Sequence, residues 1–387
     1  MNKQLIRRLT GLMSFCNRCL PKSRKKIVFY SNMGFRDNVR AVYDELLRHE
    51  EAKQYRIICA VNDYADFANK PHPDNVKFVS PIGGLWHFLT GKYFFYSFGK
   101  YPIKPAKTQT VVNVWHGSPL KKIGNFLSDE DQNFFTYVLA ASDFFAPIMQ
   151  RSFACRKEQV VVCGHPRNDA MFSHVDALSL LGIPHKRKLI LWLPTFRQSE
   201  FLGDVDIEKS VGTGLPILTS PADMARANEM LAANDAMLIA KIHPAQDLNS
   251  IDRTGYSNIL VLTNDALMRA GCGLYELLGQ ADGLITDYSS GYFDYLLLDR
   301  PIGFTVDDIE EYERNRGFVV DDPRPLMPGP FLENPDDFLA FLEDVLSGND
   351  GYASDRARVN ALANRYPGGQ DAARALAIAG ILPAKSE

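Results

Sequence analysis

Lys26-Ile27-Val28-Phe29-Tyr30-Ser31 is a short apolar run that stops at Asn32-Met33-Gly34-Phe35-Arg36-Asp37-Asn38, and a helical pattern begins near Val39. A β-branched and aromatic run, a glycine-containing loop and a helix, in that order, open a βαβ unit. The same punctuation recurs outward from it. Strands are expected over 55–61, 76–80, 92–98, 110–115, 143–148 and 160–163, and a second series over 188–193, 236–242, 259–263, 283–286 and 301–306. Helical segments alternate with them, which is the pattern of parallel sheets covered by helices. Between the two series, residues 166–187 are polar, contain Pro166 and Pro184 and end in basic residues, so a domain boundary is expected there. The expected fold is α/β: two Rossmann-like domains facing a cleft, residues 26–170 and 171–350. A basic segment 1–25 precedes them and a helical segment 351–387 follows.

Of the 387 residues, 46% are apolar and 23% charged, enough to bury two ordinary cores and too regular for a fibre or a disordered tail. The net charge of -3 excludes the wholly basic character of a nucleic-acid-binding domain. Its distribution is uneven. Eight of the 43 basic residues lie in 1–26, where there is no acid, so 35 basic residues face 46 acidic ones in the remainder. Leu5, Leu9, Leu12, Met13, Cys16, Cys19 and Leu20 recur at intervals of three and four, predicting one apolar helical stripe flanked by basic residues. Such a helix can lie on an anionic bilayer, where each nearby Lys or Arg contributes about 1 kcal/mol. The alternative is that the stripe packs on the protein's own body. No run is long and apolar enough to span a membrane. The six scattered cysteines complete no zinc site and fit free thiols in a reducing, cytoplasmic compartment.

Open α/β sheets bind ligands beyond the carboxyl ends of their strands. At those places this chain puts His116-Gly117-Ser118-Pro119-Leu120-Lys121-Lys122, Gly164-His165-Pro166-Arg167-Asn168-Asp169, Pro194-Thr195-Phe196-Arg197, His243-Pro244 and Thr286-Asp287-Tyr288-Ser289-Ser290-Gly291. His116 and His243 follow strands in different halves and supply an acid/base inventory that titrates near neutrality. A single histidine there is more often a hydrogen-bonded structural residue; two at equivalent places shift the balance. Lys121, Arg167, Arg197 and Lys241 lie within a few residues of these loops and suit a phosphorylated ligand. The hydroxyls and backbone N–H groups of 286–291 suit a diphosphate cradle, while Asp287 or Ser289 can equally be an ordinary helix cap. No Walker loop, dinucleotide-binding glycine motif, zinc-protease motif or serine-hydrolase elbow is present.

In combination, Trp115-His116-Gly117-Ser118-Pro119-Leu120-Lys121-Lys122-Ile123-Gly124, the 164–169, 194–197 and 241–244 segments, and Thr286 through Ser290 with Phe293-Asp294-Tyr295, Asp299-Arg300-Pro301 and Arg316-Gly317-Phe318, closely resemble the CDP-glycerol glycerophosphotransferases of teichoic acid synthesis. The resemblance covers about residues 27 to 345. Departures are mild: the family often has Thr where Ser118 stands, and Tyr where His165 and Phe196 stand. The resemblance implies a GT-B-like fold, CDP-glycerol as donor and a hydroxyl of a lipid-linked glycan or growing polymer as acceptor. It implies His116 as general base, His243 on the donor phosphates, and Arg197, Thr286, Ser289 and Ser290 holding the diphosphate. Gly117, Lys121, Arg167, Asp169 and Asp287 would support these.

The chemistry that the resemblance implies is phosphoryl transfer, dominated by positioning and charge stabilisation. A divalent cation such as Mg is compatible with it, but no carboxylate cluster demands one and no cofactor is required. The rival enzymes are a CDP-ribitol phosphotransferase and a nucleotide-sugar glycosyltransferase on the same scaffold; the rival from another class is a catalytically silent scaffold of a polymer-assembly complex. The expected place is the cytoplasmic face of the membrane, held peripherally, with a teichoic acid or capsule-type phosphopolymer as product. Nothing in the sequence sets the oligomeric state.

Overall fold

The computed structural model describes residues 3–194, 215–242, 255–306 and 308–383, with the side chains of 3–9 left aside. Contacts divide the chain into two compact units: residues 1–118, 123–169 and 363–387 form the first, and 119–122 with 170–362 the second. The helical C-terminus is thus no separate segment, because its last part completes the first unit.

In the first unit the elements run α1 (Lys3–Cys19), β1 (Ser23–Ser31), α2 (Asp37–Leu47), β2 (Arg56–Val61), α3 (Tyr64–Ala68), β3 (Val76–Val79), α4 (Pro81–Thr90), β4 (Gly91–Tyr96), β5 (Thr110–Asn113), β6 (Tyr137–Ala140), α5 (Phe145–Ser152) and β7 (Val160–Val162). The seven strands form one parallel sheet in the order β3-β2-β1-β4-β5-β6-β7. Ile27 pairs with Ile57 on one side and Tyr93 on the other, so β1 is central and its Ile27–Tyr30 run is buried. Alternate residues of that run feed two cores. Ile27 and Phe29 pack with Val39, Val42 and Leu46 of α2, whereas Val28 and Tyr30 pack with Phe88 of α4 and Met149 and Phe153 at α5. A parallel sheet covered on both faces needs such continuous apolar strands.

The second unit runs α6 (Ala177–Leu181), β8 (Lys188–Leu193), α7 (Pro221–Ala233), β9 (Ala236–Lys241), β10 (Ile259–Leu262), α8 (Asn264–Ala270), α9 (Leu274–Gln280), β11 (Gly283–Thr286), α10 (Gly291–Tyr295), β12 (Ile302–Thr305), α11 (Ile309–Asn315), β13 (Phe331–Leu332), α12 (Pro335–Ser347) and α13 (Ala353–Ala363). Its described strands form a parallel sheet in the order β10-β9-β8-β11-β12-β13. Ile190 and Trp192 of β8 pack with Leu238, Ile285 and the Phe338, Phe341 and Leu342 side of α12. The chain then returns to the first unit as α14 (Asp371–Ile378), whose Ala375 and Leu376 join the α2 side of that core.

Two sequence expectations change. The run 143–148 is a turn followed by helix from Phe145: Phe145, Met149 and Ser152 are the buried residues of α5, a spacing of four and three that suits a helix on a sheet. Pro147 falls in its first turn, where a missing N–H costs nothing. The strand lies earlier, at Tyr137–Ala140. In α1, the side chains of Leu5 and Leu9 lie outside the described residues, and the rest of the predicted stripe is divided between the body and solvent. Ser14 and Asn17 are buried and Met13 packs on the core, while Leu12, Phe15, Cys16 and Cys19 are exposed.

Candidate active site

In the first unit three strand-end loops meet around His116. β5 runs on through Val114, whose N–H donates to Tyr96 O (2.9 Å), and the chain then turns abruptly. Trp115 has φ +49° and Gly117 φ +138°. The first costs a non-glycine residue on the order of 1–3 kcal/mol; the second favours glycine. Trp115 N–H donates to Asn113 Oδ1 (3.0 Å), and its carbonyl accepts from Asn38 Nδ2 (2.9 Å). The turn presents the His116 imidazole between two rings: Phe98 stacks on it at 4.7 Å and 14°, and Trp115 lies 3.9 Å away at 31°. The imidazole is held against two aromatic faces yet half-exposed, so it can meet a ligand.

The loop after β7 closes this arrangement from the other side. His165, fully buried, shares a 3.2 Å hydrogen bond between its Nε2 and Ser118 Oγ, so two of the three residues that depart from the family pattern pair with each other. Arg167 donates its N–H to Asn38 Oδ1 (2.9 Å) and its guanidinium to both Asp37 oxygens (3.0 and 3.2 Å). Arg167 therefore has an ion-pair partner in a largely buried setting. Asn168 is buried beside it, and neither of its amide atoms has a hydrogen-bond partner among the described residues.

Asp169 is committed elsewhere. Its two oxygens accept the N–H groups of Asp371 (2.8 Å) and Ala372 (2.9 Å), the first turn of α14. Burial raises its pKa above the usual carboxylate value despite those two donors. Gly164 has φ +85°, and a Cβ there would lie 2.4 Å from the Asp371 carboxylate, so α14 closes directly over this loop.

In the second unit, β11 delivers Thr286, whose hydroxyl donates to Leu193 O (3.3 Å) at the end of β8. Asp287 Oδ1 accepts the Ser289 N–H (3.1 Å), and Ser289 Oγ the Gly291 N–H (3.4 Å). The side chain of Asp287 thus shapes the turn, while Ser290 sits at the start of α10 and makes no capping bond with its hydroxyl. Because α10 has only five residues, its dipole contributes little; hydroxyls and cations are the available groups. Lys121 is one. Residues 120–122 pair antiparallel with 317–319, through Lys122 N–H to Gly317 O (3.0 Å) and Val319 N–H to Leu120 O (2.9 Å). Lys121 Nζ lies 5.9 Å from the Tyr312 ring. Burial lowers the Lys121 pKa, the Asp287 carboxylate works against that, and Arg316 adds to it. The Ser-Pro-Leu-Lys and Arg-Gly-Phe motifs, two hundred residues apart in sequence, are thereby neighbours.

His243 and Arg197 lie outside the described residues. Among the described residues no group of three or more His, Cys, Asp or Glu side chains could hold a metal ion. His116 and Ser289 lie just after β5 and β11, whereas Lys121 lies in the stretch that pairs with 317–319; the sequence gives no role to Asn38 or to the Ser118–His165 pair. Their signal was an amide directly after the β1 loop, and the paired departures at 118 and 165.

These motifs are those of one family, and residues 12–378 match that described as CDP-Glycerol:Poly(glycerophosphate) glycerophosphotransferase. The chain belongs to this family. It is accordingly an enzyme of the glycerophosphotransferase class, related to the proteins of teichoic acid synthesis. It is 29% identical over 348 residues to a teichoic acid poly(glycerol phosphate) polymerase of Bacillus spizizenii, covering 81% of this chain and 82% of the relative. It also resembles a teichoic acid ribitol-phosphate primase of the same organism, at 23% over 91% of this chain and 89% of the relative. It spans 47% of the length of the Bacillus subtilis teichoic acid poly(glycerol phosphate) polymerase. Among solved structures, a variant of the wall teichoic acid polymerase TagF superposes with a TM-score of 0.76 at 20% identity, over 97% of this chain and 92% of that one. The glycerophosphotransferase fold here is therefore GT-B-like, built from two parallel-sheet units.

Proposed function

We propose that this glycerophosphotransferase moves glycerol phosphate from CDP-glycerol to a hydroxyl of a membrane-linked glycan or polyol-phosphate acceptor and releases CMP. The reading rests above all on His116, an imidazole fixed between Phe98 and Trp115 on a strained turn at the end of β5. The acceptor O–H gives its proton to His116 as its oxygen attacks the phosphorus bearing glycerol. A new P–O bond forms, the P–O bond to CMP breaks, and CMP departs with that electron pair. A positioned base contributes roughly 100- to 10,000-fold to such a step. Charge gathering on the diphosphate is met by Lys121, Ser289 and Ser290, with Arg197 and His243 assigned to the same task by the family motifs; Thr286 and Asp287 shape the loop that carries the serines.

His116→Ala should lower CMP release from CDP-glycerol roughly 100- to 10,000-fold, to a small measurable rate, while circular dichroism and donor binding persist; a folded, fully active variant would refute the assignment. The ribitol-phosphate relative keeps a second donor in view. Incubation with CDP-glycerol, CDP-ribitol and nucleotide sugars, followed by mass analysis of a lipid-linked acceptor, separates them. CMP release with CDP-ribitol alone would replace glycerol by ribitol in this proposal.

The site of action we place at the cytoplasmic face of the membrane, with anionic lipid as partner. No helix among the described residues is long and apolar enough to cross a bilayer. Supporting a surface contact, α1 and α4 cover the same face of the sheet, since Met13, Leu85 and Leu89 pack on one core, and both expose large apolar side chains: Leu12 and Phe15, Ile82 and Trp86. Arg18, Arg24 and Lys25 are exposed around the end of α1.

A further inference from the structure

Asn38 is fully buried at the second residue of α2, yet it belongs neither to the reacting groups nor to an apolar core. Its carboxamide has one donor group and one acceptor atom engaged on two different loops. Nδ2 donates to the carbonyl of Trp115 (2.9 Å), in the loop after β5, and Oδ1 accepts the N–H of Arg167 (2.9 Å), in the loop after β7. Asn38 itself sits just after the loop that leaves β1. One side chain therefore joins the ends of three strands, of which β1 and β5 are separated in the sheet by β4.

The residues it holds are the ones that need holding. Trp115 (φ +49°) and Asp37 (φ +62°) are both non-glycine residues in the left-handed region, one bonded to Asn38 and the other adjacent to it. A strained conformation persists only where its surroundings over-determine it. Trp115 is fixed at both peptide groups, by Asn113 at its N–H and by Asn38 at its carbonyl, and the residue it delivers is His116. Only an amide fits the task at this length. A carboxylate keeps the acceptor for Arg167 but turns an oxygen toward the Trp115 carbonyl, and an aliphatic isostere leaves both backbone groups unpaired in a buried place.

We infer that Asn38 is the positioning residue of the site: by holding the Trp115 carbonyl and the Arg167 N–H together it sets the turn that aims the His116 imidazole. This rests on the reading of His116 as the base. Asn38 touches no substrate, so its removal acts on the chemical step rather than on donor affinity. A displacement of about 1 Å at a reacting group is enough to cost a hundredfold in rate.

The test is CMP release by full-length Asn38→Asp and Asn38→Ser, alone and combined with His116→Ala, alongside calorimetric binding of CDP-glycerol. The expected result is kcat down about 100-fold with KM and donor affinity within threefold of the parent, and no further loss in the His116→Ala background. A folded Asn38 variant with kcat within threefold of the parent overturns the inference. So does an equal proportional loss with and without His116, or failure of both variants to fold, since each makes Asn38 a residue of the fold alone. An active His116→Ala protein would instead overturn the base assignment, and is recognised separately because it needs no Asn38 variant.

Discussion

Lys121 and Asp169 both follow strands as expected supporting residues of the site, and their surroundings give them opposite consequences on substitution. Lys121 is a half-buried cation whose pKa burial lowers, with the Asp287 carboxylate as its electrostatic counterweight. Lys121→Ala removes a charge from the proposed donor side while relieving burial, so the KM for CDP-glycerol should rise about tenfold with the melting temperature unchanged or higher. Unchanged KM would detach Lys121 from the donor. Asp169 caps α14 at two N–H groups, and loss of such a cap costs about 1–2 kcal/mol. Asp169→Ala should lower the melting temperature and leave the KM for CDP-glycerol alone; the reverse pattern would return Asp169 to the site. The sequence showed both as polar residues after strands and could not separate them, because the partner of Asp169 lies 202 residues away in the chain.

At the scale of elements, strand runs such as Ile27–Tyr30 were legible because a strand buried on both faces is apolar at every position, whereas 143–148 was misread for the same reason. A short apolar run does not reveal its own period; only the buried spacing of Phe145, Met149 and Ser152 does. α1 misleads in a related way. Its polar residues face inward because the body offers them partners: Asn17 Nδ2 donates to Gln109 Oε1 (2.7 Å) and Lys104 O (3.1 Å), and Ser14 Oγ accepts the Lys104 N–H (3.0 Å). Leu12→Ser with Phe15→Ser, and Trp86→Ser separately, should each weaken sedimentation with phosphatidylglycerol vesicles while leaving soluble CMP release intact. Retention of full vesicle binding by both would remove α1 and α4 from the membrane face. On α4, His87 carries a pH dependence. Burial lowers its pKa, and Lys26, Arg56 and Lys77 lower it further. The folded protein then binds fewer protons than the unfolded chain below about pH 6.5, so stability falls as pH drops from there toward the folded pKa. His87→Gln should flatten that acid-side loss in a melting-temperature series.

At the scale of the molecule, the two-sheet architecture was readable from alternation alone, but the path of the C-terminus was not, since an Ala- and Arg-rich helix can cover any sheet. The structure puts α14 into the first unit, with Ala375, Leu376, Ala379, Ile381 and Leu382 in the core that holds Val39, Val42 and Leu46. The unit is thus closed by residues more than three hundred positions after β1. Burial of Leu376, Ile381 and Leu382 is together worth on the order of 5–9 kcal/mol, comparable to the whole stability of an ordinary domain of 5–15 kcal/mol. Removing everything after Leu362 should therefore unfold the first unit and spare the second, whose core uses none of these side chains. Hydrogen exchange resolves the two. In the truncated chain, peptides spanning β1 and α2 should lose protection while those spanning β8 and β9 keep it, and CMP release should vanish because His116 loses its frame. Full protection of β1 and α2 without α14 would mean that the first sheet stands on its own two faces and that α14 serves only to cover the Gly164 loop.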